Sequence, residues 1–128
     1  MRHLLLGICL LSTTACLGNS PTAPVDRQVV LAPGQTTEIA AGLSLRFSGV
    51  TGDSRCPADA ICVQGGDAIV RIVIMSYGST AERELHTGTM QPVTFEAVRV
   101  ELIQLEPYPF SSRTIRPDEY RATVRVTR

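Results

Sequence analysis

The chain has no tryptophan and no lysine, and only three Tyr and three Phe in 128 residues. Surfaces that stack sugars or bases are built from such rings, so their scarcity argues against a carbohydrate-stacking or base-stacking face. The missing lysine reads as codon usage in a GC-rich genome. Twelve Arg balance twelve acidic residues, and a neutral total argues against a general binder of nucleic acid or anionic membranes, which needs a positive excess. His3 and His86 are the only histidines. No G-x-S-x-G, phosphate-cradling glycine loop or H-E-x-x-H is present, which leaves the common hydrolase, nucleotide-binding and zinc-protease signatures unfilled. No apolar run approaches the ~20 residues that span a bilayer, helical periodicity is nearly absent, and nothing calls for a cofactor.

What is present begins with an export signal. Arg2 precedes an apolar run over 4–11, interrupted only by Gly7, and Ser12-Thr13-Thr14-Ala15-Cys16 follows. This is the order of charged region, apolar region and small-residue cleavage site in a secretory signal, here 1–15. Cys16 after Thr14-Ala15 resembles the lipobox of bacterial lipoproteins, although Thr13 stands where leucine is usual. The expectation is a lipidated Cys16, with simple cleavage after Ala15 as the alternative. Leu17 rather than aspartate after the cysteine points to an outer-membrane anchor facing the periplasm. Residues 16–24 are rich in Gly, Asn, Ser, Pro and Thr and read as a flexible tether. The remaining 25–128 suffice for one domain and one core.

Within 25–128 the dominant pattern is period-two alternation in short runs separated by Gly, Pro, Asp and Ser, as in half-buried antiparallel strands. Expected strands are 28–31, 36–39, 43–48, 67–76, 82–87, 93–95, 98–105 and 119–127. The 67–76 run is apolar at both parities, with Val70, Ile72 and Ile74 against Ile69, Val73 and Met75, and should be a central strand buried on both sides. Pro107 and Pro109 end the seventh run, because proline cannot donate to a ladder. Tyr108 between them is expected to close one end of the core with its hydroxyl in water, with an exposed anchor as the alternative. Seven to eight such strands define an all-β chain, a small antiparallel β-sandwich or a partly open barrel.

One stretch carries more information than the rest: Asp53-Ser54-Arg55-Cys56-Pro57-Ala58-Asp59-Ala60-Ile61-Cys62. With Cys9 in the removed signal and Cys16 carrying lipid, Cys56 and Cys62 remain as an even pair in an oxidising compartment, so a disulfide is expected. It would close a loop of about seven residues and contribute roughly 2 to 3 kcal/mol. Asp53, Arg55 and Asp59 then have two readings. They hold the loop by pairing with each other or with backbone carbonyls, or they form a rigid binding loop for an envelope partner.

The run Asp53-Ser54-Arg55-Cys56-Pro57, with Cys62 and Gly66-Asp67-Ala68 after it, resembles a motif of small, uncharacterised bacterial secreted proteins and lipoproteins. Glu106-Pro107-Tyr108-Pro109 and Asp118-Glu119-Tyr120 also fit that group, while Gln64 departs from it where tryptophan is frequent. The resemblance implies no activity.

A thiol oxidoreductase would use C-x-x-C on a thioredoxin-like frame, and neither is present. A zinc site from Cys56, Cys62, His86 and Asp59 would need two thiolates, which a disulfide removes. His86 is expected on an exposed strand surface rather than as a general base. The sequence therefore leads to the expectation of a non-enzymatic, lipid-anchored envelope protein acting as a binding or structural module. The alternative is a secreted inhibitor or ligand-binding protein that uses the Cys56–Cys62 loop as its contact surface.

Overall fold

The structure, a computed structural model, describes residues 23–128. The export signal, Cys16 and all but the end of the tether lie outside the described residues. Eight strands follow in chain order: β1 (Asp26–Leu31), β2 (Thr36–Ala40), β3 (Leu43–Asp53), β4 (Ala68–Ser76), β5 (Ser79–His86), β6 (Val93–Phe95), β7 (Val98–Glu106) and β8 (Arg121–Thr127). A 3-10 turn, Pro117–Glu119, precedes β8. Among the described residues no helix is long and apolar enough to cross a membrane.

The strands form two antiparallel four-stranded sheets, ordered β1-β8-β7-β6 and β2-β3-β4-β5. Neither closes on itself, so the architecture is a sandwich. Alternation explains the core, because every second side chain of a strand points to the same face. Leu43, Leu45, Phe47, Val70, Ile72, Ile74 and Leu85 line the inner face of one sheet, and Leu31, Val98, Val100, Leu102, Ala122, Val124 and Val126 line the other. Each fully buried Leu, Ile or Phe among them contributes roughly 1.5–3 kcal/mol.

Three features depart from the sequence expectation. β3 runs on to Asp53 instead of stopping near Ser48, because register shifts at Phe47/Gly49 and Val50/Gly52 absorb extra residues; bulges of this kind re-aim a strand without ending it. A third shift, between Leu102 and Gln104 of β7, brings Leu105 back to the core although it lies three residues from Leu102. The expectation that β4 is buried on both faces needs correcting. Its inner face is sealed, but Ile69, Val73 and Met75 are only half-buried. Among the described residues no second layer covers that side, and Arg71 lies across it towards Glu82 and Glu84, at 3.2 and 3.4 Å.

The two poles of the sandwich differ. Val25 and Arg128 exchange backbone hydrogen bonds of 3.1 and 2.9 Å, and the Arg128 guanidinium lies 5.5 Å from the Tyr77 ring at the β4–β5 turn. The chain therefore enters the fold at the pole that carries this turn. At the opposite pole Asp53 faces Ala68 and Glu106 faces Arg121, and there the 54–67 loop emerges.

Candidate functional site

The 54–67 loop is the tip of the β3–β4 hairpin. Pairing continues beyond the strands: Ser54 N donates to Asp67 O at 2.7 Å and Cys56 N to Gly65 O at 3.0 Å. The Ser54 hydroxyl donates to Asp67 O and accepts from Asp67 N, at 3.0 and 3.1 Å. Gly66 makes this closeness possible. Its φ is +70°, and a Cβ there would lie 1.8 Å from Ser54 O, so only glycine fits.

Cys56 and Cys62 are joined by a disulfide with their Cα atoms 5.9 Å apart. The ring rests on the segment after β7, with Ala58 N donating to Pro109 O at 2.9 Å and Ser111 N to Asp59 Oδ1 at 2.8 Å. The Ser111 N–H holds the Asp59 carboxyl below its usual pKa. Ile61 and Val63, on either side of Cys62, are fully exposed.

Asp53 and Arg55 lie two apart on an extended chain, which puts both side chains on one face. That face points inward, and Arg55 is 8% exposed. Its Nε and Nη2 donate to Asp53 Oδ1 and Oδ2 at 2.8 and 2.7 Å, a bidentate pair. Nη1 donates to Leu105 O at 2.9 Å and Nη2 also to Pro107 O at 3.0 Å. Tyr120, the first inward residue before β8, donates its hydroxyl to Asp53 Oδ2 at 2.8 Å. The Tyr108 ring lies 5.6 Å from the guanidinium.

Burial opposes ionisation of Asp53, but the hydrogen bonds from Arg55 and Tyr120 outweigh it and hold the carboxyl below its usual range. Burial and that same carboxylate push the Tyr120 phenol up to about 12. For Arg55, burial disfavours the cation and the Asp53 carboxylate more than restores it, so its pKa is raised.

Segments 53–57, 106–109 and 118–120 thus converge on one guanidinium that ties the two sheets together. Tyr108 corrects an expectation: it is 57% exposed, with its ring against Arg55 rather than closing the core. The inward role of Tyr120 was readable from its parity with Ala122 and Val124. The two carbonyls that Arg55 takes were not, because they lie fifty and fifty-two residues away.

A second cluster stands beside the hairpin. Asp67 Oδ2 meets His86 Nδ1 at 2.6 Å, and Oδ1 accepts from Gly88 N at 2.8 Å and from the Thr87 hydroxyl at 3.3 Å. Burial of Asp67 opposes its ionisation, and the His86 and Gly88 hydrogen bonds overcome it, leaving its pKa lowered. His86, expected exposed on a strand surface, is half-buried and pairs with Asp67. An Asp–His pair can orient an imidazole, but acyl transfer also needs a nucleophile bonded to that ring. Among the described residues the hydrogen bond of the His86 ring goes to Asp67 alone, and no group of three or more His, Cys, Asp or Glu is placed to hold a metal ion.

Between the hairpin tip, the turn after β5 and β7 lies a cleft of about 460 Å3. Gly65, Gly66 and Gly88 form its bare sides, and Met90, Ile103 and Tyr108 its apolar lining. Fold and pole together define a two-sheet β-sandwich with a stapled hairpin and an adjoining groove. Comparison with family models, curated proteins and solved structures finds no match to this chain.

Proposed function

We propose that the chain is a non-enzymatic lipoprotein of the bacterial cell envelope, anchored through Cys16 at the outer membrane and facing the periplasm, whose sandwich is a binding module. The observation that carries this reading is the fully exposed pair Ile61 and Val63 on a covalently closed, hydrogen-bonded loop. Exposed apolar side chains on a rigid loop offer contact area at low cost in ordering entropy, the property of a recognition surface. The disposition of the poles agrees with it. A tether of about eight residues, ~16 Å in root-mean-square length, leads to the pole opposite the loop, so a lipid on Cys16 would turn the Cys56–Cys62 pole away from the membrane and towards a partner protein.

The test is a photo-cross-linking residue at Ile61 in intact cells, combined with the intact mass of the mature chain. A diacylated Cys16 and a discrete protein adduct at Ile61 are expected. An unmodified Cys16 thiol would overturn the anchor and leave a secreted binding protein using the same loop. Absence of any adduct at Ile61 would overturn the binding role.

A further inference from the structure

β6 and β7 differ in length, and the difference leaves a gap. β6 pairs only with Val98, Arg99 and Val100, whereas β7 continues to Glu106 and pairs with β8 along 99–106. Beyond Val100 no described strand replaces β6, so 101–106 is a sheet edge. An open edge presents backbone donors and acceptors that only another extended chain matches along its length. The far end of this edge is already occupied. The carbonyls of Leu105, at the end of the strand, and of Pro107, just beyond it, are both taken by Arg55. The guanidinium stands where a neighbouring strand would be. Upstream of it the bulge leaves Ile103 without a partner on β8, and its side chain is 40% exposed in the cleft.

We propose that this cleft is a peptide groove in which an extended segment of the partner protein adds to β7 over 101–104 as a short extra strand. The inference rests on the binding-module reading and names the ligand class for that pole. Three observations select an extended backbone over a helix or a folded surface. The edge itself demands hydrogen bonding from a strand, and main-chain pairing with alternate side chains in pockets is how sheet edges capture peptides. The side at Gly65 carries no side chain, and a Cβ there would meet open space, which allows close approach of a backbone. Met90, Ile103 and Tyr108 give apolar contacts for the side chains that point inward at every second position.

Charge narrows the ligand further. The lining holds one cation, Arg55, already paired by Asp53, and one carboxylate, Glu106. The fitting segment is therefore apolar at alternate positions, free of acidic residues, and neutral or basic where it passes Glu106.

The experiment selects nine-residue peptides from a random displayed library on the oxidised mature chain. The best peptide is then synthesised unmodified and with N-methyl groups on alternate backbone amides. Binding is read by fluorescence anisotropy, and amide hydrogen exchange locates the site. The proposal expects slowed exchange at Leu102 and Ile103 and at least tenfold weaker binding of the analogue methylated on its β7-facing amides. Ile103→Pro, at the bulged position without a register partner on β8, should weaken binding at least tenfold. Met90→Glu should do so with unchanged melting, which covers the case of an Ile103→Pro chain that does not fold.

Failure to select any peptide, equal binding of both methylated registers, or protection on β1 or β5 instead of β7 would each overturn the proposal, as would protection at β7 arising only from self-association. If an Ile61 cross-link persists in such a case, the peptide groove falls and the binding module stands. If the cross-link is lost too, both fall.

Discussion

Replacing Arg55 by methionine keeps most of the side-chain volume and removes the guanidinium, and its cost follows from the partners left behind. Asp53, whose side chain is 14% exposed, loses its bidentate cation and keeps the Tyr120 hydroxyl and the residue-55 backbone N–H. Leu105 O and Pro107 O lose their donors. Removing one member of a buried ion pair costs about 3–5 kcal/mol, and each orphaned acceptor about 1–3 kcal/mol. The retained bonds to Asp53 put the sum near its lower end, about 5 kcal/mol. For a domain of about 100 residues that corresponds to a fall in Tm of roughly 20 °C or more. Urea unfolding of the oxidised mature chain measures it, with Arg99→Met on the solvent face of β7 as a control costing under about 0.5 kcal/mol. Adding Asp53→Asn should cost less than the sum of the two single changes, with a coupling of about 1–3 kcal/mol. A loss below about 1 kcal/mol for Arg55→Met, or simple additivity of the pair, would refute the view that this guanidinium ties the sheets together.

Reducing the disulfide, or changing both Cys56 and Cys62 to serine, should cost about 2 kcal/mol, since the closed ring is short; denaturant midpoints with and without reductant would show it, and no shift would contradict it. Gly66→Ala should destabilise by more than about 1 kcal/mol through its positive φ and the clash with Ser54 O, whereas Gly34→Ala, with open space around it, bears only the φ penalty and should cost less. Asp53 and Asp67 have folded pKa values below the unfolded value of about 3.9. Their stabilisation is thus complete above about pH 4 and is lost as pH falls through the folded values. Unfolding curves at pH 5, 3 and 2 should show a progressive loss below pH 4 that is smaller in Asp53→Asn, and a curve flat to pH 2 would contradict the assignment.

Strand positions and inner faces were legible because alternation is a local signal, as Leu43, Leu45 and Phe47 or Tyr120, Ala122 and Val124 show. The disulfide was legible from the pairing of the two remaining cysteines. Three things were not. The bulges at Ser48, Thr51 and Ile103 break the very period used to read a strand, which is why β3 was expected to end early. Tyr108 was misplaced because its neighbour, Arg55, is distant in sequence and supplies a contact that hydropathy does not encode. The open edge of β7 needed strand order. The unequal lengths of 93–95 and 98–105 were in the sequence, but that these two runs pair, with β8 on the other side, emerges only from the fold.

The central claim is that the Cys56–Cys62 pole faces a protein partner while the opposite pole faces the anchor. The direct measurement places one photo-cross-linker at Val63 and another at Thr80, both exposed and at opposite poles, in otherwise identical cells. The account predicts a discrete protein adduct from Val63 and none from Thr80. Equal adducts from both positions, or an adduct from Thr80 alone, would contradict it.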